Sequence, residues 1–202
     1  MPYKGLNNTN IGLLGGSFNP AHKGHIYVSD LALKIFNLNQ VWWLVTPQNP
    51  LKENAQKGTY DFRLSTANNL KKSYKIKVLS LEHNIGTKFS YDTIKVLKKS
   101  LPNINFFWII GADNLCDMHL WYKWKKIFRL CPVVVFNRPG YTKKALFSKT
   151  AHFFWYNKVG SNKIRVCKNY SLPLWTFVNK RMVNHSSSAI RTKKNRIING
   201  KF

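Results

Sequence analysis

Residues able to act on a phosphate gather in one short stretch. Gly15-Gly16-Ser17-Phe18-Asn19-Pro20-Ala21-His22-Lys23-Gly24-His25 sets glycines, a hydroxyl and two imidazoles side by side. Imidazole N–H groups can donate to phosphoryl oxygens, and Gly15 and Gly16 let the backbone approach an anion without Cβ interference. The chemistry expected is that of a phosphate site. Two elements must hold it in place. Residues 11–14 read as a short buried strand, and Val28, Leu31, Ala32, Ile35 and Phe36 recur at helical spacing, so a helix should begin near Lys23. Its first backbone N–H groups lack intrahelical partners and, with the helix dipole, attract an anion.

This stretch resembles the HxGH signature of the nucleotidylyltransferase superfamily, and its longer form is similar to that of bacterial nicotinate-mononucleotide adenylyltransferases. The resemblance implies a cytoplasmic enzyme of NAD biosynthesis. It would transfer the adenylyl group of ATP to nicotinate mononucleotide, releasing pyrophosphate. His22 and His25 are implied to donate to the α-phosphate, with Gly15, Gly16, Ser17, Phe18 and Gly24 lining the ATP cradle. Near the other end, Ser186-Ser187-Ser188-Ala189-Ile190-Arg191 resembles the family's ISSTxIR element, which implies that Ser187, Ser188 and Arg191 hold the ATP phosphates. His185 stands where the family has Ile, and Ser188 where it has Thr.

Gly111-Ala112-Asp113 resembles the family's GxD, implying that Asp113 accepts from a nucleotide hydroxyl; an Asp there equally suits the N-cap of a following helix. Trp121-Tyr122 matches a pair that the family sets beside the pyridine ring, so Trp121 is expected to stack on the ligand, while Trp124 reads as core. Residues 87–93, with Phe89 and Ser90 replacing the family's Tyr and Thr, are implied to offer backbone amides to the nicotinate carboxylate. Asn49 and Lys52 are implied to face the mononucleotide, Lys52 with its ammonium toward the phosphate. Arg138-Pro139-Gly140 matches the family's RPG on the same side, though Pro-Gly also punctuates a strand end.

The 202 residues fit one domain, residues 1–202, with no linker or repeat dividing them. No apolar run is long enough to span a bilayer. Cys116, Cys131 and Cys167 are widely separated and read as reduced thiols. With 33 Lys+Arg against 7 Asp+Glu the net charge is +26, which suits polyanionic partners. The lysines are scattered along the chain, so a basic surface that steers small phosphates is favoured over specific nucleic-acid binding. The few carboxylates form no D-x-D or H-E-x-x-H arrangement, so Mg²⁺ should arrive on ATP.

Apolar runs at 11–14, 41–45, 76–79, 104–110 and 133–136 alternate with helical patterns, which predicts a doubly wound, mostly parallel α/β sheet of Rossmann-like type. Residues 175–178 offer a sixth strand, Ser90 or Asp92 a cap for the helix marked by Ile94, Leu97 and Leu101, and residues 141–170 no clean period. The loops at 15–17, 46–50, 111–113 and 137–140 each follow a strand, so they should meet at one sheet edge, where open α/β sheets bind ligands. A cytidylyl-, pantetheine-phosphate or nicotinamide-mononucleotide nucleotidylyltransferase would share HxGH. An RNA-binding module would explain the charge but not the four loops.

Overall fold

The computed structural model describes residues 9–47, 58–166 and 171–180. In chain order the elements are β1 (Asn10–Gly16), α1 (Lys23–Ile35), β2 (Gln40–Val45), α2 (Tyr60–Leu70), β3 (Ile76–Leu79), α3 (Leu81–Asn84), α4 (Ser90–Ser100) and β4 (Asn105–Gly111). Then follow α5 (Ala112–Asp117), α6 (Trp124–Leu130), β5 (Val133–Phe136), α7 (Thr142–Leu146), α8 (Lys149–Phe153), α9 (Ser161–Val166) and β6 (Trp175–Val178). The six strands make one sheet in the order β3-β2-β1-β4-β5-β6, and every pairing is parallel. The doubly wound α/β expectation therefore holds.

Strand alternation divides the core into two layers. Leu13, Trp42, Leu44, Phe106, Trp108 and Val135 face one cluster with Ile94 and Leu97 of α4 and Phe128 of α6. Leu14, Trp43, Val45, Phe107, Ile109 and Val134 face the other with Ala32 of α1 and Ala67 of α2. Burial on both faces explains why the central strands read as continuous apolar runs. Trp42, Trp43, Trp108 and Trp175 are fully buried; each removes an indole from water, worth about 4 kcal/mol before entropy is counted. The growth of the sheet reverses at β1, which pairs with both β2 and β4. That reversal opens a crevice at the carboxyl ends of β1 and β4, and the loops after β1, β2, β4 and β5 emerge at this edge.

Three local expectations are corrected. The fourth strand runs one residue later, Asn105–Gly111. Neither Ser90 nor Asp92 caps α4; Phe89 does, in extended conformation and without a side-chain cap bond, and both polar residues fall inside the helix. Residues 141–166 are not irregular but hold α7, α8, a 3-10 turn at Trp155–Asn157 and α9. None of these helices exceeds six residues, too short for a 3.6-residue period to show.

Candidate active site

The turn between β1 and α1 places both histidines. His22 is the N-cap of α1, and its Nδ1 accepts from the Gly24 backbone N–H at 3.1 Å. His25, three residues on, returns the favour: its Nδ1 accepts from the His22 backbone N–H at 3.1 Å. This is a capping box built from imidazoles instead of the usual hydroxyl and carboxylate. A backbone N–H can only donate, so both Nδ1 atoms must be unprotonated and each neutral ring carries its proton on Nε2. Two N–H donors are thereby fixed by the helix start. The rings lie 3.9 Å apart, and His25 also packs 4.7 Å from Phe18 and 5.8 Å from Trp43. Burial above all, with the Arg138 guanidinium adding to it, pushes the His25 pKa down to about 3, so it is a neutral donor at physiological pH.

The loop before the histidines is held from beneath. A Cβ on Gly15 would come within 2.9 Å of the Trp108 indole, so glycine is required there by core packing as well as by any ligand above. Phe18 is 2% exposed and its ring stacks on Trp43 at 5.1 Å, so it anchors the loop to the core; its φ of 46° is left-handed. Gly16 accepts from Thr46 N–H at 3.0 Å, and the Ser17 carbonyl accepts from Arg63 Nη1 at 2.7 Å. Gly24 lies in the first turn of α1.

Across the crevice, Gly111 ends β4 and serves as the N-cap of α5, which leaves Asp113 inside the first turn rather than at the cap. Arg138, in the loop after β5, forms an ion pair with Asp113 through Oδ2. Asp113 Oδ1 is buried and, among the described residues, accepts no hydrogen bond.

A third group lies at the start of α4. The half-exposed ring of Tyr122 tilts over Phe89 at 4.7 Å and meets Tyr91 edge-on at 6.3 Å. Lys123 Nζ sits over Tyr122 at 4.6 Å and Tyr91 at 5.3 Å. Trp121, beside them in sequence, is partly buried against the core, so the ring standing outward in the pair is Tyr122. Trp124 packs edge-on against Phe153 and Phe154, as read for a core residue. Ser90 opens α4; the Asp92 and Thr93 amides return to the Phe89 carbonyl, and among the described residues no side chain caps the Ser90 and Tyr91 amides ahead of them, which suits an anion.

Residues 13–193 match the model of the cytidylyltransferase-like family. The chain belongs to that family. A protein of Rhizobium johnstonii named probable nicotinate-nucleotide adenylyltransferase is 40% identical over 181 residues, 90% of this chain and 91% of that one. A Mesorhizobium japonicum protein of the same name is 38% identical, over 95% and 97% of the two chains. Among solved structures, Plasmodium falciparum nicotinic acid mononucleotide adenylyltransferase complexed with NaAD superposes with a TM-score of 0.68 at 20% identity, covering 91% of this chain and 83% of that one. That likeness extends to the fold.

Within this cytidylyltransferase-like fold the structure brings together Gly15, Gly16, Ser17, His22 and His25 on one side of the crevice, and Phe89, Ser90 and Tyr122 at the head of α4. Asn49, Lys52, Ser187, Ser188 and Arg191 lie outside the described residues. Three residues escaped sequence reasoning. Lys123 looked like one more surface lysine, yet its left-handed backbone carries it over the tyrosines. Arg63 sits in an unremarkable polar helix but is 2% exposed. Glu82 is 3% exposed, with Thr93 Oγ1 at 3.5 Å, and Thr93 in turn 2.9 Å from Thr87. The sequence signal for Glu82 was only its place just after a strand.

Proposed function

We propose that the protein is a nicotinate-nucleotide adenylyltransferase, which joins the adenylyl group of ATP to the phosphate of nicotinate mononucleotide and releases pyrophosphate. The observation that carries this is the match to relatives of that name along nine-tenths of both chains. The mononucleotide phosphate is already anionic, so no general base is required. It attacks the α-phosphorus in line, and the bond from that phosphorus to the bridging oxygen of the leaving pyrophosphate breaks. The Nε2–H groups of His22 and His25 donate to the α-phosphoryl oxygens as charge moves onto them. Asp113 Oδ1 accepts from a hydroxyl of the nucleotide. The first amides of α4 receive the nicotinate carboxylate, with the ring against Tyr122 and Lys123 nearby. Lys52 and Asn49 orient the mononucleotide, and Ser187, Ser188 and Arg191 hold the leaving phosphates.

Mg²⁺ enters as part of the nucleotide substrate. The two histidines present protons rather than lone pairs, which suits them to phosphate oxygens and not to an ion. The enzyme works in the cytoplasm as one domain.

Incubating the protein with ATP, Mg²⁺ and a panel of phosphate acceptors tests the assignment, with nicotinate adenine dinucleotide as the expected product. In competition, kcat/KM for nicotinate mononucleotide should exceed that for the nicotinamide form by at least about tenfold, about 1.4 kcal/mol. Amide donors bind a carboxylate by charge-assisted hydrogen bonds, whereas a carboxamide NH₂ facing a donor leaves both unpaired. A preference for the nicotinamide form would overturn the acceptor while leaving adenylyl transfer in place.

A further inference from the structure

Arg63 is an internal cation that no step above uses. Among the described residues no carboxylate pairs with it. Its guanidinium instead donates to three carbonyls: Nη1 to Ser17 at 2.7 Å and to Thr46 at 2.7 Å, and Nη2 to Pro47 at 2.8 Å. The Tyr60 ring stands 5.3 Å from its central carbon. Ser17 belongs to the loop that carries His22 and His25, whereas Thr46 and Pro47 directly follow β2, ahead of Asn49 and Lys52 in sequence. One rigid fork thus grips two loops that arise from adjacent strands. A second tie runs beside it, Asn19 Oδ1 accepting from Gly58 N–H at 3.4 Å, again from the histidine loop to the approach of α2.

An apolar side chain would fill this volume without desolvating a charge. It would not fix the distance between the loops. Carbonyls at a strand end are otherwise free to tilt, and only a planar group with several donors can bind oxygens of both loops at set angles.

We propose that Arg63 is a positioning residue which, given the adenylyl-transfer function above, sets the spacing of the ATP loop against the mononucleotide loop so that nucleophile and α-phosphorus meet in line. It acts through backbone carbonyls and touches neither substrate. Each loop retains its own ligand contacts without it, so loss of Arg63 separates alignment from binding. An error of about 1 Å in such an alignment is enough to lower a rate about 10²-fold.

The test uses full-length Arg63→Lys and Arg63→Met, with folding followed by circular dichroism and kcat expressed per folded enzyme. Arg63→Lys keeps the charge but cannot reach all three oxygens. It should lose at least about tenfold in kcat while KM for either substrate changes less than about threefold, and Arg63→Met should lose more. In Arg63→Ala, millimolar guanidinium ion should restore part of kcat, an effect that a merely stabilising residue would not produce. Three results would overturn the proposal: kcat within twofold of the parent in folded Arg63→Lys, a rise in both KM values with kcat unchanged, or failure of every variant to fold. Product formation by the parent protein, assayed alongside, reports on adenylyl transfer separately.

Discussion

Replacing His25 with alanine is expected to lower kcat by about 10²–10³ while ATP affinity changes little. The donor is wanted where charge develops on the α-phosphoryl group, so its loss falls on the transition state more than on the bound nucleotide. The same side chain also accepts from the His22 backbone N–H, and removing a cap of this kind costs about 1 kcal/mol. His25→Gln separates the two roles. Glutamine at the third helical position can close the capping box, so stability should return while the rate stays well below the parent. Steady-state kinetics beside a nucleotide-binding titration gives the answer, and near-normal turnover in His25→Ala would remove this imidazole from the chemistry.

Glu82→Gln should make the protein more stable, and increasingly so as pH rises. Burial pushes the Glu82 carboxyl up to about 7 against the pull of hydrogen bonds from Thr46 and Thr93. The unfolded carboxyl titrates near its ordinary value of 4.5, so between about 4.5 and 7 the folded state holds a proton that the unfolded state has released. The Glu82 contribution is complete below 4.5 and is lost as pH rises to about 7. At roughly 1.36 kcal/mol per unit this amounts to on the order of 3 kcal/mol above pH 7, which a neutral glutamine would recover. His25 works in the opposite sense: its folded pKa is lowered, so its contribution is present above about 6.5 and is lost as pH falls toward 3. The two slopes oppose each other between 4.5 and 6.5, and Glu82→Gln should expose the His25 slope there. Denaturant unfolding of parent and variant at pH 4.5 and pH 8 checks this, and an equal difference at both pH values would show that Glu82 does not titrate as described.

The elements that the sequence made legible are those whose patterns are long or whose loops carry several matching residues. Five apolar runs, the helix beginning at Lys23 and the strand-end position of each loop all followed from periodicity. What stayed hidden depends on contacts distant in sequence. Arg63 reaches back 46 residues to Ser17, and nothing within α2 marks one arginine as internal. The clash that forbids a side chain at Gly15 comes from Trp108 on another strand. Histidine is not a customary helix cap, so His22 could be read as a ligand-binding group but not as the residue that begins α1. Trp121 and Tyr122 matched as a pair, yet adjacent residues face different ways, and only the fold shows that the tyrosine is the outward ring.

The imidazole capping box also bears on how the protein should fail. The bonds that close the first turn of α1 are the bonds that set both tautomers. Fraying of that single turn would release the two rings together, letting them spin and exchange protons while the sheet beneath stays intact. Warming should therefore extinguish turnover reversibly several degrees before the β-strands separate. A nucleotide seated on the turn would clamp it and bring the two temperatures together.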